Sequence, residues 1–252
     1  VTAPDEGFWA TIPLGAGVTR VALDPNGLAA LDKPQGVLSH PNTPRDEKRS
    51  LVRAPYDTDE ECFQWHDGKG MGRLWLINRL DSATSGLILA ATNGDLAREV
   101  RAQFKRRQVR KTYHALVFGK ARAPQETWRD LLEVRKDRGH IRTSAGSGRL
   151  PAESRMSLVR ASTGERSLSL LKLEPQTGRS HQLRVQCAKR NLPIVGDQTY
   201  GDFGANRAFA KAGGSKRLFL HSHSISFSYV LRGREYPFSA TAPLPPEFEA
   251  FL

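Results

Sequence analysis

Apolar positions along the chain fall into short runs broken by glycine, proline and charge, not into long periodic stretches. Leu28–Asp32 is one such run; stopped by Lys33-Pro34-Gln35-Gly36, it predicts a strand entering a turn. Leu74–Ile77 predicts a strand running into Asn78-Arg79-Leu80-Asp81, and Leu87–Ala91 predicts a buried one. The polar stretch Asp81–Gly86 between them is a loop at a sheet edge or cleft, where binding side chains tend to sit. After Thr92 the period lengthens. Leu96, Val100 and Phe104 mark one face of a helix, with Thr92 and Asp95 as its capping box. Arg110–Phe118 alternates as a strand, with Tyr113, Ala115 and Val117 on one side. Ser167–Leu173 predicts another strand and Gln176–Arg179 a turn, after which Ser180 is expected to cap a helix through Leu183, Cys187 and Ala188. Arg217–Val230 reads as a long strand, with Phe219, His221, His223, Ile225, Phe227 and Tyr229 on one face. The first 27 residues are expected to be an irregular lead-in. Pro41–Arg53 is expected to be an exposed loop, Gly139–Glu153 a flexible basic loop and Gly201–Lys216 a long loop. Strands outnumber helices and lack regular helical crossovers, which favours an α+β fold with a large mixed or antiparallel sheet.

Charge narrows the partners. The 252 residues carry 38 Lys plus Arg against 26 Asp plus Glu, a net charge of +12. That surplus points to a polyanion, nucleic acid ahead of a membrane surface. The strongest apolar run, Leu87–Ala91, falls far short of the ~20 residues a membrane helix needs. Asp5 and Glu6 stand where a secretory signal would be basic, and the first basic residue is Arg20. Cys62 and Cys187 are far apart and form no C-x-x-C pair. A disulfide framework and a Cys-rich zinc module are both disfavoured, and a reducing cytoplasm is the expected home.

Phosphate-binding glycine loops, dinucleotide fingerprints, H-E-x-x-H and G-x-S-x-G are missing from the sequence. His221 and His223 share a strand face, but no Cys or acidic residue stands near them in sequence to complete a zinc shell. Arg79 and Asp81, two apart in an extended segment, make either an activated carboxylate or an ordinary ion pair. Thr177–Arg184 is dense in donors at a helix start, suited to an anion or simply solvated. Arg101–Lys111 holds six basic residues, a footprint for a phosphate backbone or a charged outer helix face.

Taken together these segments resemble the RluA-type RNA pseudouridine synthases. Asn78–Leu87 is similar to that family's H-R-L-D-x-x-T-S-G-L motif, and Lys33-Pro34-Gln35-Gly36 to its K-P-x-G opening. Lys111–Ala115 matches its K-x-Y-x-A strand, Gly178–Val185 its G-R-T-H-Q-[IL]-R-V motif, and Pro193–Gly201 its P-I-x-G-D-x-x-Y-G loop. The resemblance implies a pseudouridine synthase fold with flanking helices and a central RNA-binding cleft. It implies an isomerase that breaks the N1–C1′ bond of a uridine in rRNA or tRNA, turns the base and rejoins it through C5, with no cofactor and no metal. It places Asp81 on the catalytic aspartate, Tyr113 on the ring that stacks on the base, and Arg184 on the cation that pairs with Asp81. Arg79 falls on the arginine that helps displace the base. Arg179, His181 and Gln182 fall in the substrate-binding motif. Asn78 stands where the motif has His, Ser180 where it has Thr, and Gln186 where His often follows. Only 32 residues precede Lys33, too few for the S4-like module many relatives carry, so residues 1–252 are expected to form a single catalytic domain acting as a monomer. The alternatives are a non-catalytic RNA-binding or RNA-folding factor and, more remotely, a glycosidase with paired carboxylates.

Overall fold

The computed structural model describes residues 6–66, 68, 70–137, 140–146, 148–162 and 167–251. Helix α1 (Glu6–Thr11) and strand β1 (Thr19–Leu23) come first, then β2 (Leu28–Lys33), β3 (Tyr56–Asp57), β4 (Cys62–His66), β5 (Met71–Leu76) and β6 (Ser85–Ala91). Helix α2 (Gly94–Lys105) leads into β7 (Arg110–Phe118), β8 (Gln125–Asp137), β9 (His140–Ala145), β10 (Leu150–Ala161) and β11 (Leu168–Pro175). Helices α3 (Gln182–Lys189) and α4 (Phe203–Lys211) precede β12 (Leu220–Leu231) and β13 (Arg234–Thr241).

Several expectations need correction. The lead-in is not irregular throughout: α1 buries Trp9 and β1 pairs with β2, while residues 1–5 lie outside the described residues. The exposed loop Pro41–Arg53 holds a 3-10 turn, Pro44–Arg49, and ends on buried Leu51 and Val52. The cap of α2 is Asn93 rather than Thr92; its Oδ1 accepts from the Asp95 and Leu96 N–H groups at 2.7 and 3.2 Å. The expected loop Gly139–Glu153 contains β9 and the start of β10, with Gly139 and Ser147 outside the described residues. Short, strongly basic strands carry little apolar alternation, so their pattern reads as loop. The expected loop Gly201–Lys216 contains α4, whose cap is Asp202, accepting from the Ala205 N–H at 2.8 Å.

The chain divides into two compact units. The first comprises residues up to Arg110 together with Ser224–Ala242. Its strands run in the order β3-β4-β5-β6-β12, with β13 beside β12 and with β2 joining β1 to β6. Every residue of β6 is buried, because both of its faces are covered. Leu87, Leu89 and Ala91 pack with Leu96 and Val100 of α2 and with Phe227 and Tyr229 of β12. Ile88 and Ala90 point the other way, into Trp9, Val52, Phe63 and Leu76.

The second unit comprises Lys111–His223 and Pro243–Leu252. From the Leu220–His223 end of β12 its strands run β12-β7-β11-β10-β8-β9. The pairs β7–β11, β11–β10, β10–β8 and β8–β9 are antiparallel. Helix α3 lies on this sheet through Val185, which packs with Leu132 and Ala152. The α+β class with a mostly antiparallel sheet is therefore as expected.

Candidate active site

In the first unit, Asp81 sits half-buried on the loop between β5 and β6. A buried cation holds that loop. Lys33 is 0% exposed, and its Nζ donates to the carbonyls of Pro34, Val37 and Ser82 at 3.1, 2.8 and 3.1 Å. The Ser82 carbonyl also accepts from the Gly36 N–H at 2.7 Å, a turn that Gly36 makes at φ +86°. Ser39 fixes the preceding residue from both sides: its Oγ donates to the Leu80 carbonyl at 2.7 Å and accepts from the Leu80 N–H at 3.0 Å. The Thr84 N–H returns to the Asp81 carbonyl at 3.0 Å, closing a turn on the aspartate. The K-P-x-G segment thus acts as the mount for the R-L-D segment. Arg79 is exposed, 3.9 Å from Glu61 and 3.5 Å from Nε2 of His40. Such an exposed pair contributes little to stability and leaves the guanidinium able to swing.

Asn78 has a local explanation. Its Oδ1 accepts from the Leu89 N–H at 2.7 Å, beside the Ile77 N–H bond to the Leu89 carbonyl at 2.9 Å. The side chain extends the ladder where β5 ends.

In the second unit, Tyr113 stands half-buried on β7, opposite Leu173 of β11. Arg184 lies on α3, 7% exposed, and grips Asp197, 1% exposed, in a two-pronged ion pair. Nε reaches Oδ2 and Nη2 reaches Oδ1, both at 2.8 Å. Asp197 Oδ1 also accepts from the Thr199 and Tyr200 N–H groups at 2.8 and 3.0 Å. Burial pushes the Asp197 carboxyl toward its neutral form; the Arg184 hydrogen bonds and charge, together with these two N–H groups, outweigh burial and hold its pKa below the usual carboxylate value. The guanidinium also lies over the Tyr200 ring, 5.1 Å from its centroid.

The segment before α3 is braced from several directions. His181 adopts φ +54°, a left-handed conformation that costs a non-glycine residue ~1–2 kcal/mol. It is held by Tyr200, whose hydroxyl lies 2.8 Å from His181 Nδ1 and accepts from the Thr143 N–H at 2.9 Å. Thr143 Oγ1 in turn donates to the Ser180 carbonyl at 2.9 Å. Ser180 is thus not the cap of α3; His181 occupies that position without a capping side-chain bond. Arg179 reaches the Pro151 carbonyl through Nε at 3.2 Å.

Gln182 ties the turn before α3 to β10. It is buried, and its amide is used within the protein. Its Oε1 accepts from Thr177 Oγ1 and the Arg179 N–H at 2.8 and 3.0 Å, and its Nε2 donates to the Glu153 carbonyl and Ser154 Oγ at 3.1 and 3.0 Å. It is a positioning residue for the turn. Gln186, the other departure, is equally occupied. Its Oε1 accepts from Ser154 Oγ at 2.7 Å, and its Nε2 donates to Asp130 at 2.9 Å. Asp130 also binds Lys189 and Arg190. Asn78 and Gln186, two of the three departures from the motif, therefore serve packing inside their own units.

Sequence reasoning missed the mounts: Lys33 and Ser39 for Asp81, and Asp197 and Tyr200 for Arg184 and His181. It also left Lys111 without a role. Its Nζ lies 3.9 Å from where a Cβ on Gly178 would stand, and burial lowers its pKa. The only signal for these residues was their membership of the same short motifs.

The fold is that of the pseudouridine synthase domains. It aligns with human RNA Pseudouridylate Synthase Domain Containing 1 at a TM-score of 0.66 and 22% identity, covering 93% of this chain and 87% of that one. Human RNA Pseudouridylate Synthase Domain Containing 4 aligns at 0.64 and 23%, covering 97% and 94%. Sequence carries the identification from fold to family: the chain belongs to the RNA pseudouridylate synthases, whose family model matches residues 27–189. It is similar to tRNA pseudouridine synthase C of Yersinia pestis, 29% identical with 84% of this chain and 82% of the relative covered. It is similar to tRNA pseudouridine synthase C of Haemophilus influenzae, 31% identical with 84% and 88% covered. It also matches ribosomal large subunit pseudouridine synthase C of Haemophilus ducreyi at 33%, over 71% of this chain and 54% of that protein. The chain is thus an RNA pseudouridine synthase, an isomerase. Among the described residues no helix is long and apolar enough to cross a membrane.

Proposed function

We propose that this enzyme converts a uridine of tRNA to pseudouridine, with Asp81 as the catalytic aspartate. The glycosidic N1–C1′ bond is broken, the uracil turns, and C5 bonds to C1′, so that C5 loses its hydrogen and N1 gains one. Tyr113 stacks on the target base, since an aromatic face suits every orientation the ring passes through. Arg184 favours the ionised form of Asp81. Arg79, exposed and weakly held, takes the place of the base once it leaves its stack. Arg179 and His181 contact the RNA around the target. The two units work as one catalytic domain, as a monomer in the cytoplasm, on RNA drawn in by the +12 charge.

The observation that carries this reading is the double mounting of the site. Lys33 and Ser39 anchor the loop of Asp81, and Asp197 anchors Arg184. Buried ionic supports of this kind hold reacting groups in place, as preorganised catalysis requires. The relatives named for tRNA, matched over most of their length, favour that substrate. The relative named for the large ribosomal subunit gives a second reading, rRNA.

Tritium release from tRNA transcripts labelled at uridine C5 tests the proposal. Wild type is expected to release tritium, and Asp81→Asn to release none while keeping its fold and its tRNA affinity. Release from ribosomal RNA alone would move the substrate to rRNA. An Asp81→Asn variant as active as wild type would refute the role of the aspartate, and RNA binding without release from any RNA would favour the non-catalytic alternative.

A further inference from the structure

This inference rests on the reading of the chain as a tRNA-modifying enzyme and adds a second place where the RNA is gripped. In the second unit a pocket of about 350 Å³ opens between α4 and the loops on either side of it. Its floor is Phe209, 2% exposed and wedged against the rings of Phe118, Phe219 and Phe251 at 6.1, 5.8 and 4.6 Å. Locked in this way, the floor cannot swing up to fill the space. The backbone of Gly214 packs against the same ring so closely that a Cβ there would strike it. Phe203 forms a wall and leaves 51% of its surface exposed beside the two cations of the rim. Arg207 and Lys216, both exposed, stand at the rim. Among the described residues lining the pocket there is no carboxylate. Gln198 and Ser215 add hydrogen-bonding groups.

A flat exposed ring with two uncompensated cations and a few polar groups matches the chemistry of a nucleotide: a π-face for the base and positive charge for the phosphate. The volume lies at the small end of ligand pockets, which suits one unit of a polymer rather than a helix or a folded partner. The pocket is also built into the support of Arg184. Asn206 of α4 donates to the Asp197 carbonyl at 3.0 Å and accepts from the Gly196 N–H at 2.7 Å. The helix that bears Phe203 and Arg207 is thereby pinned to the residue that grips Arg184. We propose that this pocket is an RNA subsite taking one unpaired nucleotide of the substrate, with its base on Phe203 and its phosphate on Arg207 and Lys216.

The test uses the full chain and a pool of unmodified tRNA transcripts labelled at uridine C5, with affinity measured over a range of salt concentrations and tritium release measured in parallel. Phe203→Ala is expected to weaken binding about 10-fold, and Phe203→Trp, which keeps a stacking face, to restore it. Arg207→Glu and Lys216→Glu should each weaken binding and lower the salt slope by about one. Val230→Ala, an equally exposed apolar change in the first unit, should bind as wild type does. Cross-linking of 4-thiouridine tRNA should recover the peptide that contains Phe203. Wild-type affinity and salt slope in Phe203→Ala and in both charge reversals, with tritium release intact, would overturn the subsite and leave the tRNA reading standing. Loss of affinity that Phe203→Trp fails to restore would overturn the stacking role. A wild type that neither binds tRNA nor releases tritium from it would instead overturn the tRNA reading, and the subsite with it.

Discussion

Each unit holds its candidate residues with a buried cation, and the two cations have different tasks in the fold: one binds backbone, the other a side chain. In the first unit, Lys33 is a buried cation whose Nζ donates to three backbone carbonyls, one of them in the Asp81 loop. In the second unit, Arg184 is a buried cation held by a full negative charge, Asp197. The first arrangement ties backbone to backbone and sets where a loop lies. The second sets the plane of one guanidinium and, through the N–H groups of Thr199 and Tyr200, the course of the next loop. Deleting the lysine removes a donor from backbone carbonyls; deleting the aspartate breaks a buried, two-pronged ion pair.

The second fault costs more. Asp197→Ala is expected to destabilise the protein by about 3–5 kcal/mol, since it breaks a buried ion pair by removing one partner, and to abolish tritium release even where the protein remains folded. Thermal unfolding and activity measured on one preparation check this. A loss below about 1 kcal/mol would show that the pair is not needed for folding and would break the contrast. Lys33→Met keeps the length and the apolar stem and removes the ammonium. It should cost about 3 kcal/mol, from the donor lost to the Pro34, Val37 and Ser82 carbonyls, with a fall in kcat from a displaced Asp81 loop. Equal losses in kcat for Lys33→Met and Asp197→Ala, at unequal losses in stability, would show that both mounts serve position first.

Two smaller effects sharpen the comparison. Asn78→Ala removes one hydrogen bond at the end of β5 and should cost about 1 kcal/mol, whereas Asn78→His, the residue of the resembled motif, tests whether that bond can be replaced. In the second unit, burial and the neighbouring His223 and Lys172 push the His114 pKa down to about 4, and among the described residues its Nδ1 has no hydrogen-bond partner. The folded state therefore binds fewer protons than the unfolded chain between about pH 6.5 and 4. Stability from this group is present above pH 6.5 and lost as pH falls through that window. After solvent screening the loss is about 1–2 kcal/mol. Unfolding curves at pH 7 and pH 4.5 should differ more for wild type than for His114→Phe.

Legibility followed apolar pattern. Leu28–Asp32, Leu87–Ala91 and Arg110–Phe118 were readable because each strand buries one or both faces. Strand β9 and helix α4 were not, because glycine, serine and arginine mask their periods and their contacts come from distant segments, Tyr200 to Thr143 and Phe209 to Phe251. At the site, motif order marked Asp81, Tyr113 and Arg184 as candidates, but it carried no sign of the bonds by which the Gln182 amide meets Thr177 and Ser154.

The sequence by itself determined the α+β class, the basic character and the residue types available for chemistry, since local period, charge and short motifs are written in consecutive positions. Only the tertiary structure decided that Lys33 carries the Asp81 loop, that Asp197 grips Arg184, and that Asn78 and Gln186 are spent on packing. Those assignments depend on hydrogen bonds between residues as far apart as Lys33 and Ser82 or Gln186 and Asp130. A buried polar group is satisfied by whatever the fold brings beside it, and spacing along the chain does not encode that neighbour.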